Sequence, residues 1–293
     1  MSQLYFIKDY KHNEALRKSY CELTNNIFGI SFEEYYLKGF WNNRYIPFSY
    51  VHEDTVIANV SVNVLDLVID GKNKKAIQIG TVMTHPNYRN QGLSAALMNK
   101  VLEEYDGTYD FIYLFANKNV LDFYPKFGFK AVNEYEFSMD FSLKESLNTN
   151  IHKLDITNIK DRHFIYEFAT KRVPVSQIFS TKNAQHIFMF YCLHVFPHDI
   201  YYLEPEDVIV IFKRELEQIH IFDIVSKRGL EIQHILTKIA DHSTKKIVFH
   251  YTPDYENIQI ESSIFNGSEV LFVKSASNED FPIHIKHPIT SQA

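Results

Sequence analysis

The 293-residue sequence holds only two cysteines, one tryptophan, nine glycines and nine prolines. Cys21 and Cys192 lie far apart with no C-x-x-C spacing, which excludes a disulfide framework and a cysteine-built zinc site and points to a reducing, cytoplasmic setting. Long apolar runs are missing as well. The longest stretch free of Asp, Glu, Lys and Arg, Asn183 to His198, contains three histidines and falls short of the roughly 18 apolar residues of a membrane span, so no membrane partner is expected. The opening Met1 to Tyr10 has neither an apolar core nor a small-residue cleavage site, and no secretory signal is expected. Positive charge is in deficit: 30 Lys plus Arg against 36 Asp plus Glu give a net charge of -6, and the basic residues do not cluster. A nucleic-acid partner is therefore not expected, while a cationic partner such as an amine is favoured. Metal ligation has no good candidate either, since Pro197 interrupts the i, i+4 pair His194 and His198.

What is present describes a folded chain of two domains: 45% hydrophobic and 23% charged residues, over a length that suits two cores. Apolar periodicity predicts a strand at Leu4 to Ile7 and a helix over His12 to Ile27. A short aromatic helix is expected after Ser31, with Ser31 and Glu34 in capping-box spacing. Strands follow at Pro47 to Val51, Val56 to Val68 and Ala76 to Thr84, the last containing Gly80, an interior glycine that marks a bulge or a close backbone approach. A helix at Gly92 to Tyr105, a strand at Phe111 to Phe115, a short helix at Asn119 to Lys126 and a strand at Phe129 to Asp140 complete this half. The central strand-helix-strand unit reads as a parallel crossover in an otherwise antiparallel sheet. The polar stretch 142–150 is the expected linker between domains at 1–141 and 151–293. Beyond it the order of strands and helices repeats with a period of about 145 residues, ending with a helix at Leu230 to Ile239 and a strand at Lys246 to His250.

Four of the nine glycines, Gly80, Gly92, Gly107 and Gly128, fall close together. Within that window, Val82-Met83-Thr84-His85-Pro86-Asn87-Tyr88-Arg89-Asn90-Gln91-Gly92-Leu93-Ser94 runs from a strand end through a turn into a helix N-terminus. Free N–H groups of the first helical turn, the helix dipole and a glycine without a side chain suit an anion such as a phosphate. Arg89-x-x-Gly92-x-Ser94 resembles the Arg/Gln-x-x-Gly-x-Gly/Ala signature of the GNAT superfamily of N-acetyltransferases, with Ser94 departing from the usual Gly or Ala. Downstream, Asn117 seven residues before Tyr124, followed by Gly128-Phe129, resembles a second hallmark of that family.

The resemblance implies an α/β (α+β) fold with a GNAT-like mixed, mostly antiparallel sheet flanked by helices, followed by a second, degenerate GNAT-like domain. It implies acetyl-CoA as acyl donor, held by Val82, Met83, Thr84, Arg89, Asn90, Gln91, Gly92, Leu93, Ser94 and Asn117. Tyr124 is implied as the proton donor, and a primary amine of a small molecule or peptide as the acceptor, acetylated by direct transfer. Where many family members carry a glutamate base, this chain has Gln78; His85 is the expected base instead, with Asp66 and Glu136 able to act only through water. The alternative is a noncatalytic acyl-CoA-binding or regulatory module. The turn Val225 to Leu230 of the second half lacks the glycine spacing, so one cofactor site per chain is expected, with monomer and homo-oligomer both open.

Overall fold

The computed structural model describes residues 4–143, 151–276 and 279–293; residues 144–150 of the expected linker lie outside the described residues. In chain order the first half contains β1 (Tyr5–Lys8), α1 (Glu14–Phe28), α2 (Glu33–Leu37), β2 (Tyr45–His52), β3 (Thr55–Ile69), β4 (Lys72–Thr84), α3 (Leu93–Tyr105), β5 (Phe111–Asn117), β6 (Lys130–Val132) and β7 (Tyr135–Asp140). The second contains β8 (Ile151–Lys153), α4 (Ile159–Thr170), β9 (Phe179–Lys182), α5 (Gln185–His194), β10 (Ile200–Leu203), β11 (Val208–Glu215) and β12 (Gln218–Ser226). It ends with α6 (Ile232–Ile239), β13 (Lys246–Phe249), β14 (Glu261–Ile264) and β15 (Glu269–Ser275). Among the described residues no helix is long and apolar enough to cross a membrane.

Two sheets result, and their strand orders match. The first runs β1-β2-β3-β4-β5-β15-β6, with β9 also paired to β3; the second runs β8-β10-β11-β12-β13-β7-β14. In each, the fourth and fifth strands are the only parallel neighbours (β4 with β5, β12 with β13) and are joined by a crossover helix, α3 or α6. The sixth position is where the halves exchange. β15, from the second half, lies between β5 and β6, and β7, from the first half, lies between β13 and β14.

The single strand expected at Phe129 to Asp140 is therefore two, which part company after Val132 and join different sheets. The buried Glu134 sits at the crossing: its carboxylate accepts from Lys286 Nζ at 3.2 Å and from the His287 backbone N–H at 2.9 Å. These bonds pin residues 285–288, all buried; Thr290 and Ser291 are buried beyond them, and Ala293 is exposed. Two other local expectations are corrected. The capping box at Ser31 and Glu34 does not form, because Phe32 is itself the helical N-cap residue, locked in the aromatic cluster by stacking on Tyr45 at 5.4 Å, and Glu34 pairs with Lys38 instead. The helix expected at Asn119 to Lys126 is two 3-10 turns, Lys118–Val120 and Tyr124–Phe127, since Pro125 can neither donate to nor fit inside an α-helical ladder.

Between the sheets a buried core joins α1, α2 and the end of β4 to α4, α5 and strands of the second sheet, through Tyr20, Phe32, Trp41, Met83, Phe168, Phe188 and Ile209 among others. One ion pair anchors this region. Arg172 contributes two hydrogen bonds to Asp223, at 2.8 and 2.6 Å, and Thr290 Oγ1 donates to the same carboxylate. Asp223 is 1% exposed. Removing its carboxylate takes two charge-assisted bonds from Arg172, which is 20% exposed and keeps only the Ile224 carbonyl, and the acceptor of Thr290, so Asp223→Ala is expected to lower the unfolding free energy by about 3 kcal/mol, measured by urea denaturation of the whole chain.

Candidate active site

β4 and β5 pair in parallel only from Ala76–Phe111 to Ile79–Leu114. Beyond that point β4 continues to Thr84 and β5 to Asn117 without pairing to each other, which opens a V-shaped gap at their C-terminal ends. A bulge in β4 accompanies the opening. Ser61 faces Gly80 and Asn59 faces Met83, so Thr81 and Val82 together oppose Val60, and Thr81 takes a left-handed conformation at φ +45°. Gly80 meets both expectations for an interior strand glycine: it borders the bulge, and a Cβ there would come within 3.2 Å of the Ala293 backbone carbon.

A bulge leaves backbone groups without ladder partners, and buried polar side chains take up the difference. Asn59 Nδ2 donates to the Thr81 carbonyl and to Ser61 Oγ, both at 2.9 Å, while Ser49 Oγ donates to Asn59 Oδ1. The Thr81 hydroxyl is hydrogen-bonded to Tyr45 at 2.9 Å, and Tyr45 in turn to Tyr20. The polar residues that alternate along β3 are thus not a solvent face. Asn59, Ser61 and Asn63 are all buried and point at the bulge or the space beside it.

After β4 the chain makes a 3-10 turn, Pro86–Tyr88, and enters α3. Asn90 at φ +63° and Gly92 at φ +77° turn it sharply, and Gly92 is the helical N-cap residue with no side chain over the first turn. A Cβ at Gly92 would meet nothing within 4 Å, and Arg89, Asn90, Gln91 and Gly92 are all exposed. The glycine is thus required by its φ, and the space before the α3 amides is open, which suits the pyrophosphate of a coenzyme A. Ser94, the departure from the family pattern, binds its hydroxyl to Thr84 Oγ1 at 2.7 Å and so ties the helix to the strand end. Leu93 is buried under α3 and Met83 in the core between the sheets, leaving their backbones, with those of Val82 and Thr84, to face the gap.

Asn117 ends β5, where its Oδ1 accepts from the Asn119 N–H at 3.0 Å. Tyr124 is 5% exposed and packed against Phe129 and Phe272, and its hydroxyl has no hydrogen bond among the described residues. Burial, with a smaller contribution from the Glu269 carboxylate, pushes its pKa up to about 12. The phenol is therefore protonated at every physiological pH.

His85 lies at the outer end of β4. Its Nδ1 accepts from the Asn87 N–H at 3.3 Å and its ring packs edge-on against Tyr88. Gln78 serves the fold: its amide donates to the Ser291 carbonyl at 2.8 Å and to Tyr113, and its oxygen accepts from the Ala293 N–H. Asp66 is on the part of β3 that pairs with β9 and accepts from Asn183, away from the bulge. Glu136 is on β7, in the second sheet.

One functional candidate has no counterpart in the sequence reading. Glu269, the first residue of β15, stands in register opposite Asn117 across the β5–β15 ladder. It lines a pocket of about 210 Å³ together with Gly80, Thr81 and Gln292. Glu269 itself is exposed; Gln292 Nε2 donates to its Oε2 at 2.6 Å, and partial desolvation beside this wall raises the carboxyl above the usual carboxylate range despite that bond. Its charge reaches both Tyr124 and Tyr191 and helps to raise each phenol.

The second sheet opens in the same way, since β12 runs on to Ser226 while its pairing with β13 ends at Ile221–Phe249. The turn there is different. Glu231, a carboxylate, is the N-cap residue of α6, Gly229 has no left-handed φ, and Asp254 and Glu256 outnumber Arg228 in the adjacent cleft. Negative charge at that helix start disfavours a phosphate.

Comparison with known proteins places this geometry. A family profile described as an acetyltransferase (GNAT) domain matches residues 11–132. An N-alpha-acetyltransferase 50 from Danio rerio is 39% identical over 66 residues, a match that spans 21% of this chain and 39% of that protein. The fold is shared with a probable N-acyltransferase from Enterococcus faecalis, at a TM-score of 0.62 and 12% identity over 94% of this chain and 73% of the other. It is shared too with a GCN5-related N-acetyltransferase from Anabaena variabilis, at 0.57 and 15% identity over 94% and 73%. Both sheets, not only the first, therefore belong to a fold already seen among N-acetyltransferases. Residues 11–132, with the strand gap, the bulge and the Gly92 turn, are an acetyltransferase domain of the GNAT family.

Proposed function

We propose that the chain is an acetyl-CoA-dependent N-acetyltransferase that acetylates a primary amine of a small molecule or peptide by direct transfer. The observation that carries this reading is the gap where β4 parts from β5, with the Thr81 bulge and the open Gly92 turn at the end of β4 and Tyr124 in the 3-10 turn that follows β5. Val82, Met83 and Thr84 offer backbone groups along one wall of the gap, Arg89 to Ser94 the pyrophosphate turn, and Asn117 the opposite wall. Bound there, acetyl-CoA supplies an activated acetyl thioester. The bulge aims an unladdered backbone at the space where negative charge develops on the carbonyl oxygen, and Tyr124 holds a proton available for the departing sulfur. His85, with Nε2 free of the Asn87 contact, is one candidate to take the proton of the amine. The noncatalytic alternative rested on Gln78 standing where a base is expected, and that side chain is engaged in holding residues 291 and 293.

The test is thermal unfolding with and without acetyl-CoA. A ligand that binds only the folded chain at about 100 times its Kd adds about 2.7 kcal/mol of stability, a shift of several degrees. The shift is expected to saturate, and to be lost in Gly92→Val, where a β-branched residue at φ +77° both strains the turn and covers the first-turn amides. No shift at millimolar acetyl-CoA removes the acetyltransferase reading.

A further inference from the structure

The pocket beside the bulge is unlike a general amine site. Its walls are mostly aromatic: Phe32 stacks on Tyr45 and on Phe190, both at 5.4 Å between ring centres, Tyr35 meets Phe190 edge-on, and Tyr191 closes the side. The polar lining is confined to the end that holds Thr81, Asn63, Gln292, Glu269 and the backbone of Ala293, and Glu269 is the charged side chain among these lining residues. Its Oε1 accepts no hydrogen bond from the described residues, while Oε2 is fixed by Gln292. An occupant must match an apolar, ring-lined body and a polar end that carries the Glu269 carboxylate. At about 210 Å³ the space exceeds the roughly 150 Å³ of an engineered cavity that takes benzene, so one ring and a two-carbon arm fill it.

Resting on the acetyltransferase reading above, we propose that this pocket is the acceptor site and takes a monoamine borne on one aromatic ring, an arylalkylamine, with its nitrogen directed at Glu269 and Thr81. The ring edges and faces supplied by Phe32, Phe190 and Tyr191 receive the apolar body, and the ammonium is held by the carboxylate and by the ring faces near it. Glu269 then accepts one proton, which leaves a neutral amine whose lone pair forms the new bond to the acetyl carbon. The carbon–sulfur bond breaks, the sulfur takes the proton of Tyr124, and the second amine proton, lost from the acylated nitrogen, returns through solvent to the Tyr124 phenolate. A polyamine or a polyhydroxylated amine is disfavoured, because the aromatic wall would strip water from further ammonium or hydroxyl groups without replacing their hydrogen bonds.

Direct binding to the whole chain, without acetyl-CoA, tests this by calorimetric titration of 2-phenylethylamine, spermidine and a short peptide with a free N-terminus. 2-Phenylethylamine is expected to bind at least about tenfold more tightly than the other two, and Glu269→Gln to weaken it by about tenfold or more while leaving binding of the neutral analogue 2-phenylethanol unchanged. Phe190→Ala, at a half-buried wall position, is expected to shift preference toward a naphthyl amine. Equal or tighter binding of spermidine or the peptide overturns the assignment, as does an unaltered amine affinity in Glu269→Gln. Loss of the acetyl-CoA thermal shift would instead remove the underlying reading, and the amine titration is independent of it.

Discussion

Expressed alone, residues 1–150 are expected to give an aggregating product without a cooperative unfolding transition, whereas co-expression with residues 151–293 is expected to give a soluble complex of the two fragments that acetyl-CoA stabilises. The reason is the exchange of the sixth strands. Without β15, the fifth strand loses a ladder that runs from Asn117–Glu269 to Phe111–Ser275, and the three-residue β6, whose strand partner is β15, has no sheet to join. Leu271, Phe272 and Val273 are each at most 5% exposed. Burying side chains of this kind contributes about 1.5–3 kcal/mol apiece, a large share of the 5–15 kcal/mol that separates folded from unfolded domains. The fragment would also expose β5 as a long apolar edge, and Phe137 and Met139 of β7 would have no second sheet to cover them. Size-exclusion chromatography and a thermal melt of the separate and co-expressed fragments check this. A monomeric 1–150 fragment with a sharp melt would mean that β7 folds back into the sixth position of its own sheet when the second half is absent.

That alternative pairing explains why the exchange could not be read from the sequence. β7 alternates apolar and polar residues in the same way whichever sheet it joins, because period-2 patterning fixes which side chains face a core and not which core they face. The strands and helices around the GNAT signature were legible: β3 from its valines, α3 from Leu93, Leu97 and Val101, and the Gly92 turn from its spacing. The repeat was legible as order and period, and the two sheets share one strand order apart from β9, with their sixth strands exchanged between the halves. The strands β9, β14 and β15 were not: β9 and β14 are four residues each and held extended by tertiary pairing, while the apolar run Val270 to Val273 of the seven-residue β15 was a signal that went unread. Glu269 escaped for a related reason: its neighbours Asn117 and Tyr124 are remote in sequence, and nothing local distinguishes it from other surface carboxylates. A signal did exist for the bulge network. Asn59, Ser61 and Asn63 are poor strand formers on the polar side of a long strand, and three in alternation mark a face that is polar for an internal purpose.

Replacing Tyr124 by Phe is expected to lower kcat/KM by about 10²- to 10⁴-fold while changing neither the melting temperature nor the acetyl-CoA shift appreciably. The two effects separate because the ring and the hydroxyl have different work. Phe keeps the contacts with Phe129 and Phe272 that seat the 3-10 turn, and the lost hydroxyl leaves no stranded partner behind, since none of the described residues bonds to it. The pH dependence gives the sharper test. A phenol raised to about 12 by burial and the Glu269 charge carries its proton throughout the neutral and mildly alkaline range, so the wild-type chain loses no proton donor between pH 7 and pH 9. The ratio of wild-type to Tyr124→Phe rates is therefore expected to be the same at both ends of that interval. A ratio that collapses toward unity at pH 9 would mean that the donor ionises within the interval and that the group is not this phenol. A Tyr124→Phe chain active to within about threefold of wild type would place the proton with solvent, and the closed, apolar seat of Tyr124 would then be packing alone.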